Sequence, residues 1–189
     1  LDGVYAPEPE QIEKMLDETH LLARLVDDLG TLSLAESGQL HLELETVQVG
    51  DLLADVATSF RAQAESAGLE LQVEEDELSS SSIQGDAGRL DQVLSNLVAN
   101  AIRHTERGAV ALSASHRGER VYITVADTGE GIRPDDLPFV FDRFWRGDRA
   151  RSHSEGAGSG LGLAIAYQLV KAHGGDISVS SKLGAGTIF

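Results

Sequence analysis

The sequence predicts an α+β fold: a two-layer α/β sandwich with helices covering a mixed sheet, preceded by a long coiled-coil-like helix. Three observations carry this. Helical and strand patterns mix without a regular β-α-β alternation, which disfavours a doubly wound sheet. The segment RLDQVLSNLVANAIRHT (89–105) is a strong amphipathic helix, with Leu90, Leu94, Leu97 and Ala101 on one stripe. Residues 109–115 and 121–126 then read as strands; in the second, Val121, Ile123 and Val125 alternate with Tyr122, Thr124 and Ala126.

The elements follow in order. Residues 1–9 carry two prolines and read as a loop. Residues 10–36 are helical. Met15, Leu22 and Leu29 recur every seven residues, and Leu25 and Leu32 repeat at the same spacing, offset by three. That is a seam for a partner helix, from this chain or another. SGQLHLEL (37–44) breaks the helix, and its alternating Leu40, Leu42 and Leu44 suggest a strand. Residues 49–66 are helical and 69–73 a strand. The acidic stretch 74–86 reads as a solvated loop rather than a metal site. Residues 133–159 are irregular, with a short helical turn near 135–137. Residues 160–173 form a helix stopped by Gly174 and Gly175. DISVSS and GTIF close the chain as strands, with Gly184 and Gly186 at the turn.

The 189 residues suffice for one domain plus an appendage, and a 41% apolar share supports a core. The net charge of −16, from 31 acidic and 15 basic residues, argues against nucleic acid and anionic lipid as partners. With no cysteine, disulfides and thiolate metal sites are excluded. No apolar run reaches the roughly 18 residues of a membrane span. The opening LDGVYAPEPE does not resemble a natural start, so the chain is expected to belong to something longer, membrane-bound in its full form.

DTGEGI (127–132) ends the second strand with a carboxylate, Asp127, followed by Gly129 and Gly131. Such residues make ordinary turns, but they also let backbone approach a flat ligand. Asn96, Asn100 and Arg103 form a stripe beside the core face of helix 89–105. Amide oxygens one turn apart suit Mg²⁺, although exposed polar residues give the same pattern. In GAGSGLGLAI, glycines at 156, 158, 160 and 162 precede a helix, as at an anion site or a flexible loop. There is no P-loop, no complete Rossmann fingerprint and no protein-kinase HRD or DFG signature. FDRFWRGDRAR (141–151) places Arg143, Arg146, Arg149 and Arg151 together in an acidic chain, which would draw a polyanionic ligand. Phe141 and Phe144 are placed to anchor that segment. The histidines show no metal-binding spacing; His104 alone sits near the asparagine stripe.

In series, NLVANAIRHT, DTGEGI, FDRFWRGDRAR, GSGLGLAIAYQLVKAHGG and GAGTIF resemble the ATP-binding catalytic domain of bacterial sensor histidine kinases, over about residues 45–189. That superfamily includes type II topoisomerases, the large heat-shock chaperones and mismatch-repair ATPases. Residues 1–44 resemble the second helix of the kinase dimerisation domain and its linker. The resemblance implies a Bergerat-type fold with a mainly antiparallel sheet, and ATP and Mg²⁺ as ligands. Asp127 would accept from the adenine amino group, with Gly129 and Gly131 letting the base lie against backbone and Thr187 supporting the contact. Asn100 would be the Mg²⁺ ligand, Asn96 its neighbour near metal or phosphates, and Arg103 a phosphate contact. His104 would pack near the nucleotide. Gly158, Gly160, Leu161 and Gly162 would meet the phosphates, and a lid over 145–158 would bring Arg143 or Arg146 to the triphosphate.

Relatives that hydrolyse ATP carry Glu at the position of Asn96, where it activates water as a general base. An amide cannot do so. The resemblance therefore implies transfer of the γ-phosphoryl group to a histidine and relay to a response-regulator aspartate, in a cytoplasmic region of a homodimeric, membrane-anchored sensor. His20 lacks the acidic residue and proline that follow the family's acceptor, so the acceptor is expected outside this chain. An ATP-driven conformational switch and a nucleotide-binding module without kinase activity are the competing readings.

Overall fold

The computed structural model describes residues 9–74, 81–145 and 159–189. A 28-residue helix, α1 (Pro9–Glu36), leads into β1 (Glu45–Gln48) and α2 (Val49–Ser66). Then come β2 (Leu69–Val73), β3 (Ser82–Gly85) and α3 (Ala87–Arg103). The hairpin β4 (Gly108–Arg117) and β5 (Arg120–Asp127) follows, then a 3-10 turn (Leu137–Phe139), α4 (Gly162–Ala172), β6 (Ser180–Lys182) and β7 (Gly186–Ile188).

Five strands form one sheet in the order β2-β4-β5-β7-β6. Only the β2–β4 pair is parallel, so the sheet is mixed and mainly antiparallel, as expected. α2 and α3 pack on the sheet, and α4 packs on α3. The register aligns Val110 with Asp127 and Leu112 with Val125. Val110, Leu112 and Val125 are buried with Leu53, Val56, Val98, Ile165 and Leu169. The predicted α3 stripe, Leu90, Leu94, Leu97 and Ala101, is buried in the same core. Period-two alternation thus carries Asp127 to the helix-covered face, in phase with Val125.

α3 is capped by Asp86, whose Oδ1 accepts from Arg89 N–H at 3.0 Å. Glu43 N–H donates to Oδ2 at 3.1 Å. Burial pushes the Asp86 carboxyl up, but these two donors, with the nearby charges of Arg89 and His173, outweigh it and hold it below the usual 3.8.

Three expectations fail, one of them in DISVSS, where only Ser180 and Ser181 join a strand, β6, and residues 176–179 do not. Residues 40–44 are not a strand: Leu40 and Leu42 are half-buried, Leu44 is exposed, and no ladder forms there. The strand comes later, as β1. The stretch 74–86 is not wholly loop, because β3 pairs antiparallel with β1, Val47 opposite Ile83.

The seam on α1 divides. Leu32 is buried in the core of the sandwich and Leu25 packs against it, while Met15, Leu22 and Leu29 stay exposed. Arg89 Nη1 donates to Thr31 Oγ1 at 3.4 Å, tying the end of α1 to α3.

Candidate functional site

The site is assembled around α3. Its C-terminal end meets the DTGEGI turn. A Cβ built on Gly129 would lie 2.1 Å from the carbonyl oxygen of His104, so only glycine lets the turn close on the helix end. Gly131, at φ 69°, is packed as tightly: its Cβ would fall 2.2 Å from the Lys182 carbonyl oxygen. The protein's own backbone thus accounts for both glycines, without a ligand.

Asp127 is buried, and its Oδ1 accepts from Gly129 N–H at 2.8 Å and Thr187 N–H at 3.2 Å. Both bonds fall on Oδ1, which leaves Oδ2 for an incoming donor. Burial pushes this carboxyl above 3.8, opposed by the two N–H groups and by the nearby His104. Thr187 faces Asp127 across β5 and β7 and is also buried. Ser181 Oγ donates to Gly186 O at 2.8 Å and accepts from Ile132 N–H at 2.8 Å. Its single hydrogen is thereby used, so the 3.0 Å contact with Thr187 is donated by Thr187 Oγ1, whose lone pairs stay available.

Two turns before His104, Asn96 lies against the start of α4, with its Oδ1 3.2 Å from where a Cβ on Gly162 would sit. Its Nδ2 is buried and has no hydrogen-bond partner among the described residues. The Leu161 side chain at the N-cap of α4 is buried and offers no capping bond; Leu161 N–H donates to Ser159 Oγ at 3.2 Å. A buried orphan donor therefore sits beside an uncapped helix start. Oxygen-rich anions satisfy such groups. Asn100 is half-buried one turn on, and Arg103 is exposed. From Asn96 to His104 the helix rises about 12 Å, on the scale of an extended nucleoside triphosphate.

No cluster of three or more His, Cys, Asp or Glu able to hold a metal occurs among the described residues. The donor set here is amide oxygen, which fits a Mg²⁺ held chiefly by phosphate and water. Gly160, at φ 72°, accepts a 2.9 Å hydrogen bond from Phe144 N–H and so closes the neck of the predicted lid. Arg146, Gly158 and nearly all of the lid lie outside the described residues.

The arginine-rich stretch is only partly as expected. Phe141 does anchor it, against Tyr167 at 5.5 Å and Phe189 at 6.1 Å. Phe144 does not: it is 62% exposed and takes φ 58°. Arg143 forms an ion pair with Glu36 at the end of α1 and so engages the N-terminal helix. A cleft of about 390 Å³ opens beside that pair, between α1 and α4, apart from Asp127 and Asn96. Sequence reasoning missed Glu130 and Ser181. Each has a local signal, a polar residue within or opposite the glycine turn, but its partner is visible only in three dimensions.

Residues 85–189 match the family of histidine kinase-, DNA gyrase B- and HSP90-like ATPases. The chain is 38% identical over 177 residues to the signal transduction histidine-protein kinase BaeS of Escherichia coli K12, covering 93% of this chain and 37% of BaeS. It is 36% identical over 194 residues to the sensor protein SrrB of Staphylococcus aureus, covering all of this chain and 33% of SrrB. It thus spans about a third of these relatives. Among solved structures, the histidine kinase AdeS of Acinetobacter baumannii superposes with a TM-score of 0.79 at 28% identity, over 99% of this chain and 85% of that one. Full-length ShkA in complex with AMPPNP gives 0.82 at 35% identity, over 97% and 38%. The motif series, the mixed sheet under its helices and the profile match over more than half the chain agree: this chain belongs to the histidine kinase-, DNA gyrase B- and HSP90-like ATPase family.

Proposed function

We propose that the chain is the catalytic region of a sensor histidine kinase, binding ATP with Mg²⁺ and transferring the γ-phosphoryl group to a histidine of the longer protein. The observation that carries this reading is the Asp127 carboxylate, oriented through Oδ1 by two backbone donors with Oδ2 left over. That arrangement suits the exocyclic amino group of adenine. Thr187 Oγ1 offers an acceptor beside it, for the base or a bridging water. Asn100 would hold Mg²⁺, which neutralises charge on the phosphates when bound. Asn96, Arg103 and the N–H groups at the start of α4 would bind the phosphate oxygens.

In the reaction the bond from the γ-phosphorus to the bridging oxygen of ADP breaks as one forms to an imidazole nitrogen. Asn96 supplies no general base for water, so the phosphoryl group is kept for the histidine. Relay to a response-regulator aspartate and a membrane-anchored parent complete this reading, in which the relatives' names, a signal transduction histidine-protein kinase and a sensor protein, support the kinase step. The exposed row Met15, Leu22 and Leu29 supports a parent dimer.

The test mixes this chain with a separate protein carrying the first dimerisation helix, Mg²⁺ and γ-labelled ATP. Acid-labile, base-stable label on a histidine of the added protein is expected. Steady release of inorganic phosphate without labelled histidine would instead favour an ATP-driven switch.

A further inference from the structure

Glu130 lies inside the glycine turn and is engaged there through its N–H, its carbonyl and its side chain. Its N–H donates to His104 O at 3.1 Å, its carbonyl accepts from Gly184 N–H at 2.7 Å, and its Oε1 accepts from His104 Nδ1 at 2.9 Å. The first and third bonds join the same two residues, so backbone and side chain together clamp the end of α3 to the turn. An ionised carboxylate only accepts, so Nδ1 carries the hydrogen in this pair. The ring cannot rotate without breaking that bond, and Nε2 is therefore its outward nitrogen. Nε2 has no hydrogen bond to any described residue. His104 is also close enough to Asp127 to act on it electrostatically. Both side chains of the pair remain partly exposed, at 37% and 44%, as expected at the rim of a cleft rather than in a core.

We propose that Glu130 is a positioning residue of the nucleotide site, fixing the His104 imidazole so that Nε2, not Nδ1, faces bound nucleotide. The proposal rests on the ATP-site reading above. It makes a prediction opposite to simple charge counting: removing a carboxylate near a triphosphate should, by Coulomb's law alone, tighten binding. If Glu130 works through His104, its removal loosens binding.

The experiment is a double-mutant cycle on the 189-residue chain, with affinity for AMPPNP and Mg²⁺ measured by calorimetry. Glu130→Ala is expected to weaken binding about fivefold to tenfold, the scale of one partly exposed hydrogen bond. Glu130→Gln, which retains an acceptor for Nδ1, should stay within about twofold of the unmodified chain. In a His104→Ala background, Glu130→Ala should have no further effect. Imidazole ¹⁵N spectra add a signature that mere folding would not supply: Nε2 should shift on nucleotide addition while Nδ1 stays put, a difference erased by Glu130→Ala. Unchanged or tighter binding in Glu130→Ala, or an equal loss with His104 already removed, overturns the proposal. Asp127→Ala in the same series separates the two claims. Lost binding there with an inert Glu130→Ala sinks this proposal alone, whereas full affinity in Asp127→Ala sinks the ATP-site reading and this proposal with it.

Discussion

Asn96 carries a polar group that the described fold leaves unused. Its Nδ2 is buried and unpartnered among the described residues, which costs stability. Asn96→Ala should therefore leave the melting temperature of the nucleotide-free chain unchanged or slightly higher, while abolishing most of the upward shift produced by Mg²⁺·ATP. Differential scanning fluorimetry with and without nucleotide reads both. Asp127 carries a similar cost. Its raised pKa means that its stabilising share is fully present below 3.8 and is lost as pH rises through the folded value. At neutral pH the ionised, buried carboxylate is a burden. Asp127→Asn keeps an oxygen for the Gly129 and Thr187 N–H groups, so it should raise the urea midpoint at pH 7. That gain should shrink toward zero below 3.8, where the native carboxyl is also protonated. Asp127 was legible from sequence, because strand alternation and a glycine turn locate it. Glu130 and Ser181 were not: their partners lie 26 and 6 residues away, and only the closed turn brings them together. Gly129 and Gly131 were found, but not that each makes room for the protein's own carbonyl groups, which only the closed turn shows.

At the scale of elements, α3 is the spine: it contributes Asn96 and Asn100, its end contacts the 127–132 turn, and its start is held by Asp86. Asp86→Ala should cost about 1 kcal/mol of stability through the lost cap. Because the Asp86 pKa is lowered, its contribution is complete above 3.8 and is lost as pH falls through the folded value. Urea titrations of both proteins at pH 7 and in acid should show the difference closing only on the acid side. Helix α3 was readable because its apolar stripe is long and matched to its period. The β1–β3 ladder was not, since each strand has four residues and β1 buries only Val47. Conversely, three alternating leucines at 40–44 gave a strand signal that tertiary packing did not honour, because that stretch lies alongside the core without a ladder partner.

Across the whole molecule, α1 joins the sandwich through the C-terminal half of the helix. Leu32 is 1% exposed there, and Leu32→Ala should destabilise the chain by about 2–5 kcal/mol in chemical denaturation. The neighbouring row, Met15, Leu22 and Leu29, is exposed and should instead drive association: sedimentation should show concentration-dependent dimers that vanish when all three are changed to serine, with little change in the melting temperature of the monomer. The heptad seam calls for a partner from another chain or from this one. The structure shows the last turns of α1 finding the second while leaving a surface for the first. The account as a whole depends on Asp127 as the purine anchor. Calorimetric titration of AMPPNP and Mg²⁺ into the chain and into Asp127→Ala tests it most directly. Saturable binding by the chain with a loss of at least about tenfold in the variant is predicted, as for a buried charged hydrogen bond. Equal affinity in the two proteins would contradict it.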